Sequence, residues 1–301
     1  MDSAVEKGGI ALPFILVTLI WGSTWIVIRD QLGTVPASWS VCYRFLLAGV
    51  AMAVFARMRR VPLRIDAAGI AFAALLGLAQ FVLNFNFVYR AEQYLTSGVV
   101  AVIYAMLLVP NSILGYLIFR QPLGRPFILG SAVGVTGIAL LLVHEYRASP
   151  AAPDQVLLGA ALTIAGLMSA SAANVMQGSR IAHRLPMVSV LAWSMLIGAG
   201  MDALFAWATA GPPTIDMRPA YLLGVAWLAL AGSVVTFPLY FRLIQRIGAG
   251  RAAYTSLLIP VIAMLFSTAI EDYRWTPLTI GGALLAVAGM VIALRTKPVP
   301  T

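Results

Sequence analysis

A single arginine inside a long uncharged segment is the first residue whose type and position suggest chemistry. Arg44 lies eight residues after Pro36, which corresponds to ~12 Å of rise along a helix. A cation in such apolar surroundings must face polar partners. Arg44 therefore either binds the carboxylate of a solute or caps backbone carbonyls and neutral polar groups, and the sequence leaves both interpretations open.

Amide side chains in apolar segments form a second group of candidates. Gln80 and Asn84 are four residues apart, so they share one face of a helix. Asn86 and Asn174 occupy similarly apolar stretches. Such amides either line a polar path or join neighbouring helices by hydrogen bonds, and we include Gln80, Asn84 and Asn174 among the predicted binding residues.

Aromatic residues deep in the apolar segments can accept a flat or apolar group, because their rings bury much area and some carry a polar handle. Four of them are predicted to line a cavity: Trp21, Tyr104, Trp193 and Tyr254. Ser23 and Tyr43 complete the predicted lining. An interfacial belt is the alternative for membrane aromatics, and we assign it to Trp39, Trp207, Tyr273 and Trp275.

Two prolines are candidate hinges, because Pro110 and Pro260 each remove a helical hydrogen bond. A static kink filled by packing is the alternative. The sequence shows no paired histidines and no phosphate-binding glycine loop, so we predict no catalytic residue, metal or cofactor. Asp202 is the only acid inside a predicted span, and the lack of a carboxylate near the midplane favours either facilitated diffusion or coupling through a less obvious group.

The elements that position these residues follow from composition. Of 301 residues, 61% are hydrophobic and 10% are charged, compared with roughly 25% charged in soluble domains. The chain is therefore predicted to be an all-α integral membrane protein in contact with the lipid bilayer. The net charge is +9, and the charged residues lie between apolar segments. This distribution indicates that they anchor loops and determine topology rather than bind nucleic acid.

Ten apolar segments are long enough to cross a membrane as helices. Their predicted limits are Ile10 to Ile28, Pro36 to Phe55, Ala67 to Tyr89, Thr96 to Phe119, Pro126 to Val143, Gln155 to Ser179, Met187 to Thr209, Pro219 to Tyr240, Ala252 to Ile270 and Thr276 to Leu294.

The distribution of basic residues predicts the orientation of these spans. With the N-terminus in the cytoplasm, inner segments carry fourteen of the 20 Lys and Arg residues and outer loops carry five. This bias predicts a multi-pass protein of the bacterial-type inner membrane with both termini cytoplasmic. Most acids fall outside, namely Asp30, Glu92, Glu145, Asp154, Asp216, Glu271 and Asp272.

Landmarks recur at a shift of 150 residues, which indicates an internal duplication. Pro36 matches Pro186, Tyr104 matches Tyr254 and Pro110 matches Pro260. We predict a first five-helix repeat over residues 1–147, a linker over 148–154 and a second repeat over 155–301. Because five is odd, the repeats must have opposite orientations, an arrangement typical of secondary transporters that work by alternating access through a central cavity.

The segment Trp21-Gly22-Ser23, the stretch from Pro36 to Arg44 and the terminal element of each repeat resemble the EamA-type branch of the drug/metabolite transporter superfamily. The terminal element combines Tyr104, Pro110, Gln121 and Gly130 in one repeat with Tyr254, Pro260, Glu271 and Gly282 in the other. This resemblance implies ten helices in two inverted repeats and export of small metabolites. Gln121 stands where a glutamate is frequent, so no role of that acid is carried over.

Within that branch the chain looks most like the YddG-type aromatic amino acid exporters, which implies amino acids as the small-molecule substrate. A multidrug or other metabolite exporter is the alternative within transport. An intramembrane enzyme would need acids or histidines clustered at one membrane depth, and a receptor would have no need of a cavity that opens in turn to both sides. The oligomeric state is not indicated.

Overall fold

The computed structural model describes residues 2–120, 122–148, 152–248, 252 and 255–294. Within them the regular structure is helical and no β-strand occurs. The α-helices are α1 (Asp2–Asp30), α2 (Ala37–Met58), α3 (Ala67–Leu76), α4 (Asn84–Ala91), α5 (Ser97–Ala105), α6 (Leu108–Phe119), α7 (Arg125–Ala148), α8 (Pro153–Met176), α9 (Arg180–Arg184), α10 (Met187–Ala210), α11 (Pro219–Ala229), α12 (Thr236–Ile247), α13 (Thr255–Ile270) and α14 (Pro277–Leu294).

Helical segments long and apolar enough to cross a bilayer confirm an all-α integral membrane protein. Among the described residues eight segments meet both criteria, and two shorter apolar helices follow at Leu258–Ile270 and Pro277–Ala293. Leu204 and Leu223 expose 75% and 69% of their surface, whereas Arg44 exposes 1%. Within the spans, apolar side chains thus cover the surface of the bundle and the charged Arg44 lies in its interior, as a lipid environment requires.

Two spanning segments each contain a π-helical stretch. Residues Gly77–Leu83 join α3 to α4, and residues Leu230–Val235 join α11 to α12. A shift of 150 residues places the first stretch at 227–233, which overlaps the second. Single turns of π-helix occur frequently at functional sites, and these two carry Gln80 and Ser233 toward the centre of the molecule.

Helices α7 and α14 pack at backbone contact through glycines. A Cβ added to Gly289 would lie 2.2 Å from the nitrogen of Gly134, and one added to Gly137 would lie 2.5 Å from the oxygen of Gly282. Only residues without a side chain permit this approach. Because the later residue of α7 contacts the earlier residue of α14, the two helices run antiparallel.

Helices α2 and α10 form a second extensive contact that includes polar groups. The Cys42 thiol donates to the Ala199 carbonyl at 3.4 Å. Nearby, the Asn86 amide donates to Asp202 at 2.6 Å, and Arg90 donates to Asn86 Oδ1 at 2.8 Å. Asn86 and Asp202 therefore join α4 to α10. For Asn86 the structure thus matches the alternative in which a membrane amide joins neighbouring helices by hydrogen bonds.

Candidate functional site

A cavity of about 90 Å³ lies at the centre of the helix bundle. Its walls come from both halves of the chain, which places it between them. The lining side chains belong to Trp21, Thr24, Trp25, Ile28, Arg44, Gln80, Asn84, Phe85, Val88, Ala101, Tyr104, Ala105, Leu107, Ala170, Asn174, Phe237, Tyr240 and Ile259. Six predicted residues thus meet here: Trp21, Arg44, Gln80, Asn84, Tyr104 and Asn174.

Arg44 supplies the positive charge of the cavity wall. Its Nε donates to the Ser233 hydroxyl at 3.3 Å, and its guanidinium carbon lies 4.2 Å from the ring centre of Phe85. Nη1 makes no hydrogen bond to any described residue, and the guanidinium also interacts with the neutral Tyr89 phenol through a side-chain hydrogen bond. The guanidinium therefore retains donor capacity, which suits a planar anion such as a carboxylate.

A short chain of hydrogen bonds fixes the polar side of the cavity. The Tyr104 hydroxyl donates to Asn84 Oδ1 at 2.7 Å, and the Asn84 amide donates to the Gln80 carbonyl at 3.3 Å. Gly166 of α8 permits this geometry, since a Cβ there would lie 2.4 Å from the Tyr104 hydroxyl. Asn174 is held at 3.5 Å from Asn111. These groups offer donors and acceptors without further charge.

Aromatic rings form the apolar side of the cavity. The Trp21 ring lies 4.8 Å from that of Tyr240 and 5.4 Å from that of Phe237. Its indole nitrogen donates to the Gly232 carbonyl at 3.1 Å, within the second π-helical stretch. Trp25 packs edge-on against Tyr104 with ring centres 5.2 Å apart. Such a wall can accept an apolar or aromatic side chain.

The other predicted lining residues are placed elsewhere. Ser23 accepts from the Trp227 indole at 3.2 Å, Tyr43 donates to the Thr214 carbonyl at 2.8 Å, and Trp193 donates to the Leu63 carbonyl at 2.8 Å. None of the three lines the central cavity. The partners of Tyr43 and Trp193 lie in loops, and the partner of Ser23 lies in α11. Tyr254 and Gln121 lie outside the described residues.

The two prolines differ in their surroundings. The fourth span breaks between α5 and α6, at residues 106–107. Pro110 cannot donate to the Met106 carbonyl, which accepts instead from the Val109 nitrogen at 2.8 Å. Pro260 lies inside the uninterrupted helix α13. A hinge at either position stays a prediction.

Sequence reasoning missed twelve of the eighteen lining residues, and those with polar or aromatic side chains are Thr24, Trp25, Phe85, Phe237 and Tyr240. A signal was present in the spacing of the Trp and Tyr residues among them. Trp25 lies four residues after Trp21 and Tyr240 lies three after Phe237, so each pair shares a helical face.

A second, larger cavity has a volume of about 1320 Å³, and we term it the vestibule. Many of its lining residues belong to loops predicted to lie on the outer side of the membrane. Charged groups line it, and Arg29 pairs with Glu271 at 3.5 Å between nitrogen and oxygen. Glu271 also accepts from the Ser97 hydroxyl at 2.6 Å. Burial, reinforced by the charge of Glu145, raises the pKa of Tyr273. No lining residue is shared between the vestibule and the central cavity.

Metal binding finds no support in the part of the chain that the structure describes. No three His, Cys, Asp or Glu side chains in it are grouped so that they could hold an ion. The polar groups of the central cavity instead suit a small organic solute.

Comparison with protein families identifies the kind of protein. The model of the EamA-like transporter family matches residues 9–143 and, a second time, residues 157–295. The chain belongs to this family. It is accordingly a membrane transporter.

Curated relatives of this EamA-family transporter come from bacteria. It is 24% identical to "Protein PagO" of Salmonella typhimurium, over 96% of this chain and 93% of the relative. It is 25% identical to the "Probable amino-acid metabolite efflux pump" of Escherichia coli K12, over 92% of each chain. It is 30% identical to the "Uncharacterized inner membrane transporter YedA" of the same strain, over 84% of this chain and 79% of the relative.

A solved crystal structure shares the fold of the EamA-family chain. The two superpose with a TM-score of 0.69 at 18% identity, over 95% of this chain and 97% of the other. This similarity concerns the fold alone.

Proposed function

We propose that this EamA-family protein exports amino acids, with aromatic amino acids as the preferred substrates, by alternating access through the central cavity. The observation that carries the proposal is the buried Arg44 guanidinium in a wall that also holds amides and aromatic rings. The name of the E. coli relative, a "Probable amino-acid metabolite efflux pump", favours the same substrate class.

The chemistry of the cavity matches each part of an amino acid. Arg44 offers a fork of donors to the carboxylate. The oxygens of Gln80 and Asn174 suit the ammonium group, and Trp21 and Phe237 supply rings against an aromatic side chain. The bound amino acid therefore has its carboxylate at the Arg44 wall and its side chain at the aromatic wall.

Two inverted five-helix repeats, residues 1–147 and 155–301, are the architecture we propose for alternating access. Each half carries its own match to the family model. Helices α7 and α14, the fifth of each half, pack antiparallel through glycines, as equivalent helices do when related by a two-fold axis in the membrane plane. On this proposal α13 and α14 are the ninth and tenth spans.

Orientation can be tested independently of transport. We propose an inner-membrane location with both termini cytoplasmic, supported by the excess of basic residues in alternate loops. Cysteines introduced at Thr34 and Arg184 in a Cys42→Ala background should react with a membrane-impermeant thiol reagent from opposite faces. Reaction of both from the same face of sealed cells would refute the inverted arrangement.

Transport is tested in proteoliposomes preloaded with labelled phenylalanine. External unlabelled phenylalanine should accelerate release of label by exchange, and protein-free liposomes provide the baseline. A panel of amino acids and flat cationic drugs, added as competitors, separates the substrate classes, because aromatic walls also bind such cations. Equal release from protein-containing and protein-free vesicles across all amino acids would refute the proposal.

A further inference from the structure

Glu92 is a buried acid that the transport proposal does not yet use. Its side chain has 0% exposure, and neither of its carboxyl oxygens has a hydrogen-bond partner among the described residues. An ionised carboxylate in such a place is strongly disfavoured relative to its neutral form. Glu92 must therefore hold a proton or meet a cation whenever it is enclosed in this way.

The position of Glu92 separates the two cavities. At the end of the third span Val88 lines the central cavity, and just beyond the span Gln93 lines the vestibule, so Glu92 lies at the boundary. In α1 the two cavities meet on different faces of one turn, because Trp25 and Ile28 line the central cavity while Ile26, Val27 and Arg29 line the vestibule. Glu92 lines neither cavity and lies between residues that line each of them.

Charged groups face Glu92 from each side of this layer. On the vestibule side, Arg29 donates to the Glu92 backbone carbonyl and pairs with Glu271, whose charge also acts on Glu92. On the cavity side, the Arg44 cation is within electrostatic range of Glu92. Two phenols complete the surroundings, those of Tyr89 and Tyr104.

We propose that Glu92 is a proton-exchange site through which inward proton movement drives outward movement of the amino acid. This inference rests on the proposed function. With Arg44 holding the carboxylate, the ionised Glu92 attracts the substrate ammonium. Binding of one proton neutralises Glu92 and removes that attraction, so proton and substrate compete for one negative charge. Competition of this kind couples opposite fluxes.

Electrostatics agree with this geometry. Burial raises the pKa of the Glu92 carboxyl well above its ordinary value, and the Glu271 charge adds to the effect, while Arg29 and Arg44 oppose it. The carboxyl therefore holds its proton at pH values where an exposed glutamate is ionised. Opening of the Arg29 to Glu271 pair would connect it to the vestibule.

The experiment compares release of labelled phenylalanine from proteoliposomes at equal pH and with an acidic exterior. The acidic exterior should accelerate release by the parent protein several-fold. Glu92→Gln should lose the response to the gradient, because glutamine cannot exchange a proton, and its exchange at equal pH should show a weaker apparent affinity for phenylalanine, because the attraction for the substrate ammonium is gone. Asp272→Asn is the matched control, because Asp272 is an exposed acid of the vestibule and asparagine tolerates its positive φ of 54°.

The outcomes separate the two proposals. Absence of any phenylalanine exchange by the parent protein refutes the transport function itself. Exchange without a gradient response, or a full response in Glu92→Gln, overturns the proton-exchange site alone. Should Glu92→Gln fail to fold, the parent protein decides: phenylalanine added in weakly buffered detergent solution must release protons, and no release overturns the inference.

Discussion

Replacement of Arg44 by glutamine tests the role of the cavity cation. The side chain exposes 1% of its surface, and its hydrogen-bond partners are neutral, namely the Ser233 hydroxyl at 3.3 Å and the Tyr89 phenol. A substrate carboxylate would thus be a charged hydrogen-bond partner in a dry site, worth about 1.5–3 kcal/mol. Loss of that contact corresponds to an about 10- to 150-fold weaker apparent affinity.

The assay is inhibition of phenylalanine exchange by two competitors, unlabelled phenylalanine and phenethylamine, which lacks the carboxylate. In the parent protein phenylalanine should compete better by the factor above. In Arg44→Gln the two compounds should compete about equally, because the group that distinguishes them is gone. Arg274→Gln is the control, since Arg274 is an exposed cation of the vestibule.

A particular result would refute this reasoning. If Arg44→Gln weakened both competitors equally and left their ratio unchanged, Arg44 would act by holding α2 against the second π-helical stretch rather than by binding substrate. Such a double comparison isolates the contact from general damage to the fold.

Three further predictions concern packing, the cavity and pH. Gly289→Leu should lower stability by about 1–3 kcal/mol through overpacking, seen as a lower Tm, whereas Gly281→Leu, where a Cβ meets nothing within 4 Å, should not. Tyr104→Phe removes the hydrogen bond that positions Asn84 in the cavity wall, so substrate affinity should fall about fivefold, the equivalent of one hydrogen bond. Tyr116→Phe, on the exposed end of the same span, should leave the affinity unchanged. Because the pKa of Glu92 is raised in the folded protein, stability should fall as pH rises above the ordinary glutamate value of about 4.3. The Tm advantage of Glu92→Gln should grow over that range, and a pH-independent difference would contradict it.

Much of the architecture could be predicted because hydropathy determines which segments cross a bilayer. The residues that are costly inside a membrane were also identifiable, and Arg44, Gln80 and Asn84 meet at one cavity because buried polar groups must face inward. Composition alone could not predict the π-helical stretches, since these arise from packing in the middle of otherwise regular helices.

Other parts of the site depend on contacts between residues distant in the chain. Trp193 is aromatic and deep in its span, yet its indole bonds to a loop carbonyl of the other half. Glu92 lies one residue beyond a span and was predicted to face outward, yet it is enclosed by α1 and the groups around Glu271. Hydropathy does not report such tertiary burial, because one polar residue near a loop hardly alters the average over a window.

The most direct measurement concerns access to the cavity from each side of the membrane. Ala105 lines the cavity, and alanine to cysteine is a small change there. In a Cys42→Ala background, Ala105→Cys should react with an impermeant thiol reagent both in right-side-out and in inside-out vesicles, and excess phenylalanine should slow both reactions. Reaction from one face only, with or without phenylalanine, would contradict a cavity that opens in turn to the two sides.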